Sequence, residues 1–211
     1  MITTRLEETG LSEGVRIGFD SAGLRMTPEE FDAIKEGDYD ELYRYELIDG
    51  VLVVNAIPLE SQASPNDFLG YRLNKYRYEH PNGWILDETL PERYIRLPNS
   101  RRLADRVIWA GLGRRPNPKV DPPTIAVELV SAGKRNRKRD YETKRDEYLA
   151  AGVIEYWIID RFQRTMTVYR ATGGAPSVRV VAEHEVFETD LLPGFQLSLG
   201  QLLAQADKWS E

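Results

Sequence analysis

The 211-residue sequence contains no cysteine. That excludes disulfides, thiolate metal sites and a cysteine nucleophile, and it is compatible with a reducing cytoplasm. Only two histidines occur, His80 and His184. Neither sits in a partner pattern, so a Ser-His-Asp triad or a histidine metal cage is not expected. No apolar run approaches ~18 residues, which argues against a membrane span. The opening "MITTRLEETGLSEGVRIGFD" lacks an apolar core and does not read as a signal peptide. A P-loop is missing, and "GLGRRP" lacks the third glycine of a dinucleotide fingerprint. Basic charge is not in excess either. The net charge of −6 excludes a uniformly basic surface, although local basic patches remain compatible with it.

What is present suggests a single soluble domain with a sizeable core, since 41% of residues are hydrophobic. Residues 1 to 23 are polar and read as a loosely held extension, with the domain running from 24 to 211. "MTPEEF" carries helix-start chemistry: Thr27 as cap, Pro28 as first helical residue, Glu30 as the reciprocal partner. "YELIDGVLVV" predicts a hairpin turning at Asp49-Gly50. "SPNDFLGYRLNKYRYEH" predicts a helix beginning at its Ser-Pro pair. Strands follow in "GWILDE", "RYIRLP", "LADRVIWAG" and "TIAVELV", then a helix, then strands in "IEYWIID", "TMTVYR" and "VRVVAEH". "SLGQLLAQADKW" closes as a short amphipathic helix. The order implies an α/β fold, a mixed central sheet flanked by helices.

Two features are out of place in such a fold. In "RDYETKRDEYLAAGV", Tyr141 and Tyr148 lie seven residues apart and share a helix face with Lys144. A lysine therefore stands on the side that should turn inward. Its stem could pack beside the tyrosines while the amine reaches solvent, or it could form a buried ion pair. Glu128 interrupts "TIAVELV", the most strand-like run, where a carboxylate must be paired, protonated or metal-bound. Asp105 repeats the pattern in "LADRVIW". Each acid alone reads as a strand end or an exposed face. Two carboxylates and an amine converging at one end of a sheet are what metal-assisted phosphodiester cleavage requires. Paired carboxylates also suit a glycosidase, but that chemistry explains neither Lys144 nor the basic run "KRNRKR", five basic residues in six from Lys134 to Arg139. Such a run is a solvated loop or a phosphate-binding patch. Tyr141 and Trp109 are candidates for base stacking, or for the core.

Taken in order, "RYELIDGVLVV", "LADRVIW", "TIAVELVSAG", "RDYETKRDEYLAAGVIEYWIID", "TMTVYR" and "LLPGFQLSL" resemble the Uma-two family of restriction endonucleases in the PD-(D/E)XK nuclease superfamily. The resemblance spans roughly residues 24 to 205 and is most specific from Lys144 to Asp160. It implies a restriction-endonuclease-like core with an N-terminal helix and hairpin. It also implies a DNA endonuclease using Mg²⁺, with Mn²⁺ as a substitute. Asp105 and Glu128 would ligate the metal, together with the main-chain carbonyl of Leu129, and Glu46 would assist. The superfamily's usual lysine position is Val130 here, and the family's displaced lysine falls on Lys144. Lys134, Arg135, Arg137, Lys138 and Arg139 would contact DNA phosphates. A homodimer and a cytoplasmic location accord with this reading. Three departures stand out: Ala104 replaces the usual proline, "SAG" replaces a Ser-Pro-Ser segment, and the loop through "KRNRKR" is slightly longer than the family pattern. The alternative is a catalytically silent nucleic-acid-binding or regulatory module on the same fold.

Overall fold

The computed structural model describes residues 16–133 and 138–209. The described residues divide into two compact units, one from those up to residue 57 with 96–103, the other from 58–95 with those from 104 onward. In the first unit, helix α1 (Pro28–Ala33) starts as its sequence dictates. Thr27 Oγ1 accepts from the Glu30 amide at 3.2 Å, and Glu30 Oε2 accepts from the Thr27 amide at 2.7 Å, closing a capping box. Strands β1 (Tyr43–Ile48) and β2 (Val51–Ala56) pair antiparallel around Asp49-Gly50. Both turn residues have positive φ, 48° and 75°, the geometry of a tight hairpin turn.

Of residues 1 to 23, read as a loosely held extension, 1 to 15 lie outside the described residues, and 16 to 23 carry two buried side chains, Ile17 and Ser21. Ile17 is buried, bridges to Tyr39, and accepts a hydrogen bond from the Tyr45 hydroxyl at 2.8 Å. An apolar side chain and a satisfied carbonyl offset the entropy of ordering the segment.

The second unit is built on a mixed sheet. Strand β3 (Leu86–Leu97) pairs with β4 (Ser100–Ala110), and both strands contribute residues to each unit. From β4 the order continues through β5 (Ile125–Leu129), β6 (Glu155–Asp160), β7 (Thr165–Arg170) and β8 (Ser177–Ala182). Only the β5–β6 pair is parallel among β4 to β8. Helix α2 (Glu60–Glu79) precedes β3. The crossover between β5 and β6 carries a π-helical turn (Arg139–Thr143) leading into α3 (Lys144–Ala150). A two-stranded β9 (Val186–Phe187) and β10 (Leu197–Ser198) ladder precedes α4 (Leu199–Asp207). Among the described residues, no helix is long and apolar enough to cross a membrane.

Alternation along β5 sorts its side chains between two cores. Ile125, Val127 and Leu129 join Leu69, Leu73 and Leu203 from α2 and α4. Ala126 and Val130 join Tyr148 of α3, with Tyr156 and Ile158 of β6. Glu128 follows the even residues and so faces α3. Trp109 belongs to this second core, its indole donating to the Asp121 carbonyl at 3.0 Å, which removes it as a base-stacking candidate.

Helix α2 starts one turn earlier than the Ser-Pro signal predicts, and Pro65 lies inside it. Proline's fixed φ is helical, so near a helix start it forfeits little beyond one backbone hydrogen bond. The extra turn buries Ser61 and brings Gln62 to the end of β5. Farther along α2, Gly70 makes room for a buried arginine. A Cβ there would come within 2.6 Å of Arg106 Nη2. Arg106 donates to Asn66 Oδ1 at 2.8 Å and to Thr89 Oγ1 at 3.2 Å. Gly70→Ala should therefore destabilise the protein by about 1–3 kcal/mol despite alanine's better helix propensity. Urea unfolding would measure it.

Candidate active site

The β4–β5 ladder ends with Arg106 paired to Val127, and Asp105 and Glu128 are the next residues on the two strands. Both acids then share the face that α3 covers. Asp105 Oδ2 accepts the Leu129 amide at 2.6 Å, while its own carbonyl accepts from Asn66 Nδ2 at 2.9 Å. Glu128 is buried, at 3% exposure. Its Oε1 accepts from Lys144 Nζ at 2.8 Å and from the Tyr148 hydroxyl at 2.9 Å.

Lys144 is 3% exposed, so it does not snorkel. The inward lysine that the tyrosine spacing predicts is present, and its amine meets Glu128. The π-helical turn leads directly into it. Such wide turns recur at functional sites. This one also buries Asp140, at 1% exposure, which the sequence did not single out. The signal available was its position four residues before Lys144. Asp140 Oδ1 accepts from Arg139 Nε at 3.1 Å, and its carbonyl accepts from the Tyr156 hydroxyl at 3.0 Å.

The site carries a surplus of negative charge. Burial raises Asp105 to about 6, against the opposing pull of Lys144 and the Leu129 amide, and Asp140 pushes the same way as burial. Burial likewise raises Glu128, opposed by Lys144 and reinforced by Asp105 and Asp140. Tyr156 is driven well above its ordinary value by burial and by the same three carboxylates. Asp105 retains partial solvent exposure.

This chemistry suits a hard divalent cation. Carboxylate oxygens are its preferred ligands, and a cation would reverse the cost of ionising both acids. Among the described residues, no cluster of three or more His, Cys, Asp or Glu side chains forms a ready-made metal cage. Two carboxylates are enough for Mg²⁺, which keeps several waters. The Leu129 carbonyl accepts from Gln62 Nε2 at 3.1 Å, so a metal there would use the oxygen's second lone pair.

Glu46 lies in the first unit, buried, accepting from the Leu103 amide at 3.1 Å and from Asn55 Nδ2 at 3.2 Å. Lys134, Arg135 and Arg137 of the basic run lie outside the described residues. Lys138 is exposed, whereas Arg139 is half-buried against Asp140. Tyr141 is also half-buried and donates to Asp160 Oδ2 at 3.3 Å.

Comparison with known proteins agrees with the architecture. The family described as "Uma2: Putative restriction endonuclease" matches residues 28–200. A crystal structure titled as a "putative nuclease belonging to DUF820" from Anabaena variabilis ATCC 29413 is similar at a TM-score of 0.66 and 16% identity. The match covers 86% of this chain and 99% of that one. At that identity the likeness concerns the fold. No curated protein matches the chain.

Proposed function

The chain belongs to the Uma2 family, and from that membership we propose that it is a divalent-metal-dependent DNA endonuclease. The family supports a nuclease function. The finer reading rests on one observation: the buried Lys144 amine meets Glu128, and its charge acts on Asp105 as well. Asp105 and Glu128 would hold Mg²⁺ or Mn²⁺, with the Leu129 carbonyl as a further ligand. When bound, the metal supplies charge neutralisation at the phosphate and a lowered pKa for water.

The protein's own groups do the rest. Glu128 orients Lys144 through the 2.8 Å bond. Lys144 is a compact cation with three N–H donors, suited to steadying an attacking water or a phosphate oxygen. The basic run after β5 would attract the DNA backbone, giving binding that weakens steeply with salt. Cutting both strands would favour two copies of the chain.

The test is incubation of plasmid and single-stranded DNA with the protein in Mg²⁺, in Mn²⁺ and in chelator. Metal-dependent nicking that Glu128→Ala loses is expected. Equal nicking by wild type and a folded Glu128→Ala would assign the activity to a contaminant.

A further inference from the structure

The Tyr148 side chain is buried in the second core, where a phenylalanine would supply the same apolar contact. Its hydroxyl instead reaches Glu128 Oε1, the oxygen that Lys144 already holds. The ring is locked edge-on against Tyr156, with centroids 5.2 Å apart at 81°. Tyr156 in turn ties down the Asp140 carbonyl inside the π-helical turn. The phenol is therefore aimed by packing from both β6 and α3.

Two consequences follow for Glu128. Its Oε1 carries two donors, while Oε2 takes no hydrogen bond among the described residues. Rotation of the carboxylate would break both bonds at once, so one oxygen is anchored and the other is offered. Redundancy is the second consequence. If the Lys144 amine moves toward a water or a phosphate oxygen, Oε1 still has a partner and is not left as a buried, unsolvated acceptor.

Resting on the metal-dependent reading above, we propose that Tyr148 is a positioning residue, holding Glu128 Oε1 so that Oε2 faces the divalent ion and Glu128 stays in place when Lys144 turns toward the reacting phosphate. Outer partners of metal ligands commonly contribute ~10-fold or more to metal affinity.

The test measures Mn²⁺ binding by calorimetry on the DNA-free protein, alongside the metal and DNA dependence of cleavage. Tyr148→Phe keeps the ring, and Tyr148→Met fills the space without a donor should the first variant fold poorly. Tyr76→Phe, which removes a buried hydroxyl bonded to the Asn82 and Pro193 carbonyls, serves as the packing control. Tyr148→Phe should weaken Mn²⁺ binding by about 10-fold and raise the metal concentration for half-maximal cleavage in parallel. KM for DNA should stay within about twofold, and Tyr76→Phe should bind Mn²⁺ as wild type does. Wild-type Mn²⁺ affinity in a folded Tyr148 variant overturns the proposal and leaves the nuclease reading intact. Absence of Mn²⁺ binding by the wild type, or binding unchanged by Asp105→Asn, overturns the metal reading and this inference together.

Discussion

Asp105→Asn is expected to lower metal-dependent cleavage by about 1,000-fold while stabilising the metal-free protein above neutral pH. The amide oxygen can still accept the Leu129 N–H that Asp105 Oδ2 now takes, so the strand end should hold its geometry. What disappears is a carboxylate raised from 3.8 to about 6 in the folded state. Between those values the folded protein binds more protons than the unfolded chain, so stability falls as pH rises through the window and stays lower above it. The full shift would correspond to ~3 kcal/mol, and partial solvent exposure reduces that to about 1–2 kcal/mol. Melting curves in chelator at pH 5 and pH 8 would test the sign. The wild type should lose more than Asp105→Asn over that interval. Adding Mg²⁺ or Mn²⁺ at pH 8 should raise the wild-type transition and leave that of the variant nearly in place. Such an opposition between stability and activity is common where like charges are gathered for function. A variant that cleaves as well as wild type would remove Asp105 from the site.

Lys144→Met should cost about 3 kcal/mol of stability. It strands the buried Glu128 carboxyl with the Tyr148 hydroxyl as its remaining partner from the Oε1 pair. Pairing the change with Glu128→Gln removes the stranded charge, and the double variant should recover most of the loss, a coupling of about 1–3 kcal/mol. Denaturant unfolding of the four proteins gives that number. Cleavage separates the two meanings of the ion pair. If Lys144 and Glu128 are catalytic, the double variant is stable and still reduced by about 100-fold or more. A double variant that is both stable and active would make the pair a structural feature of a protein whose function lies elsewhere.

Much of this architecture was legible because it depends on neighbours in the chain. The Thr27–Glu30 capping box and the Asp49-Gly50 hairpin are local chemistry, and both formed as read. Lys144 could be placed inward from its spacing to Tyr141 and Tyr148, since helical periodicity alone decides which residues share a face. Glu128 could be placed in a buried strand because the run around it is apolar on both sides. The early start of α2, with Pro65 inside it, was not legible: Gln62 bonds to Leu129 and Ser131, 67 and 69 residues away. Nor was the buried Asp140, because a π-helical turn changes which residues point inward. Tyr148 read as a core anchor, and nothing local says where its hydroxyl ends. By itself the sequence determined the order of most elements, the two acids on strands and the lysine on an inward face, all set by periodicity and short-range hydrogen bonding. Only the tertiary structure decided that Lys144 and Tyr148 share one oxygen of Glu128, because strand register and helix docking, not chain proximity, bring those atoms within 3 Å.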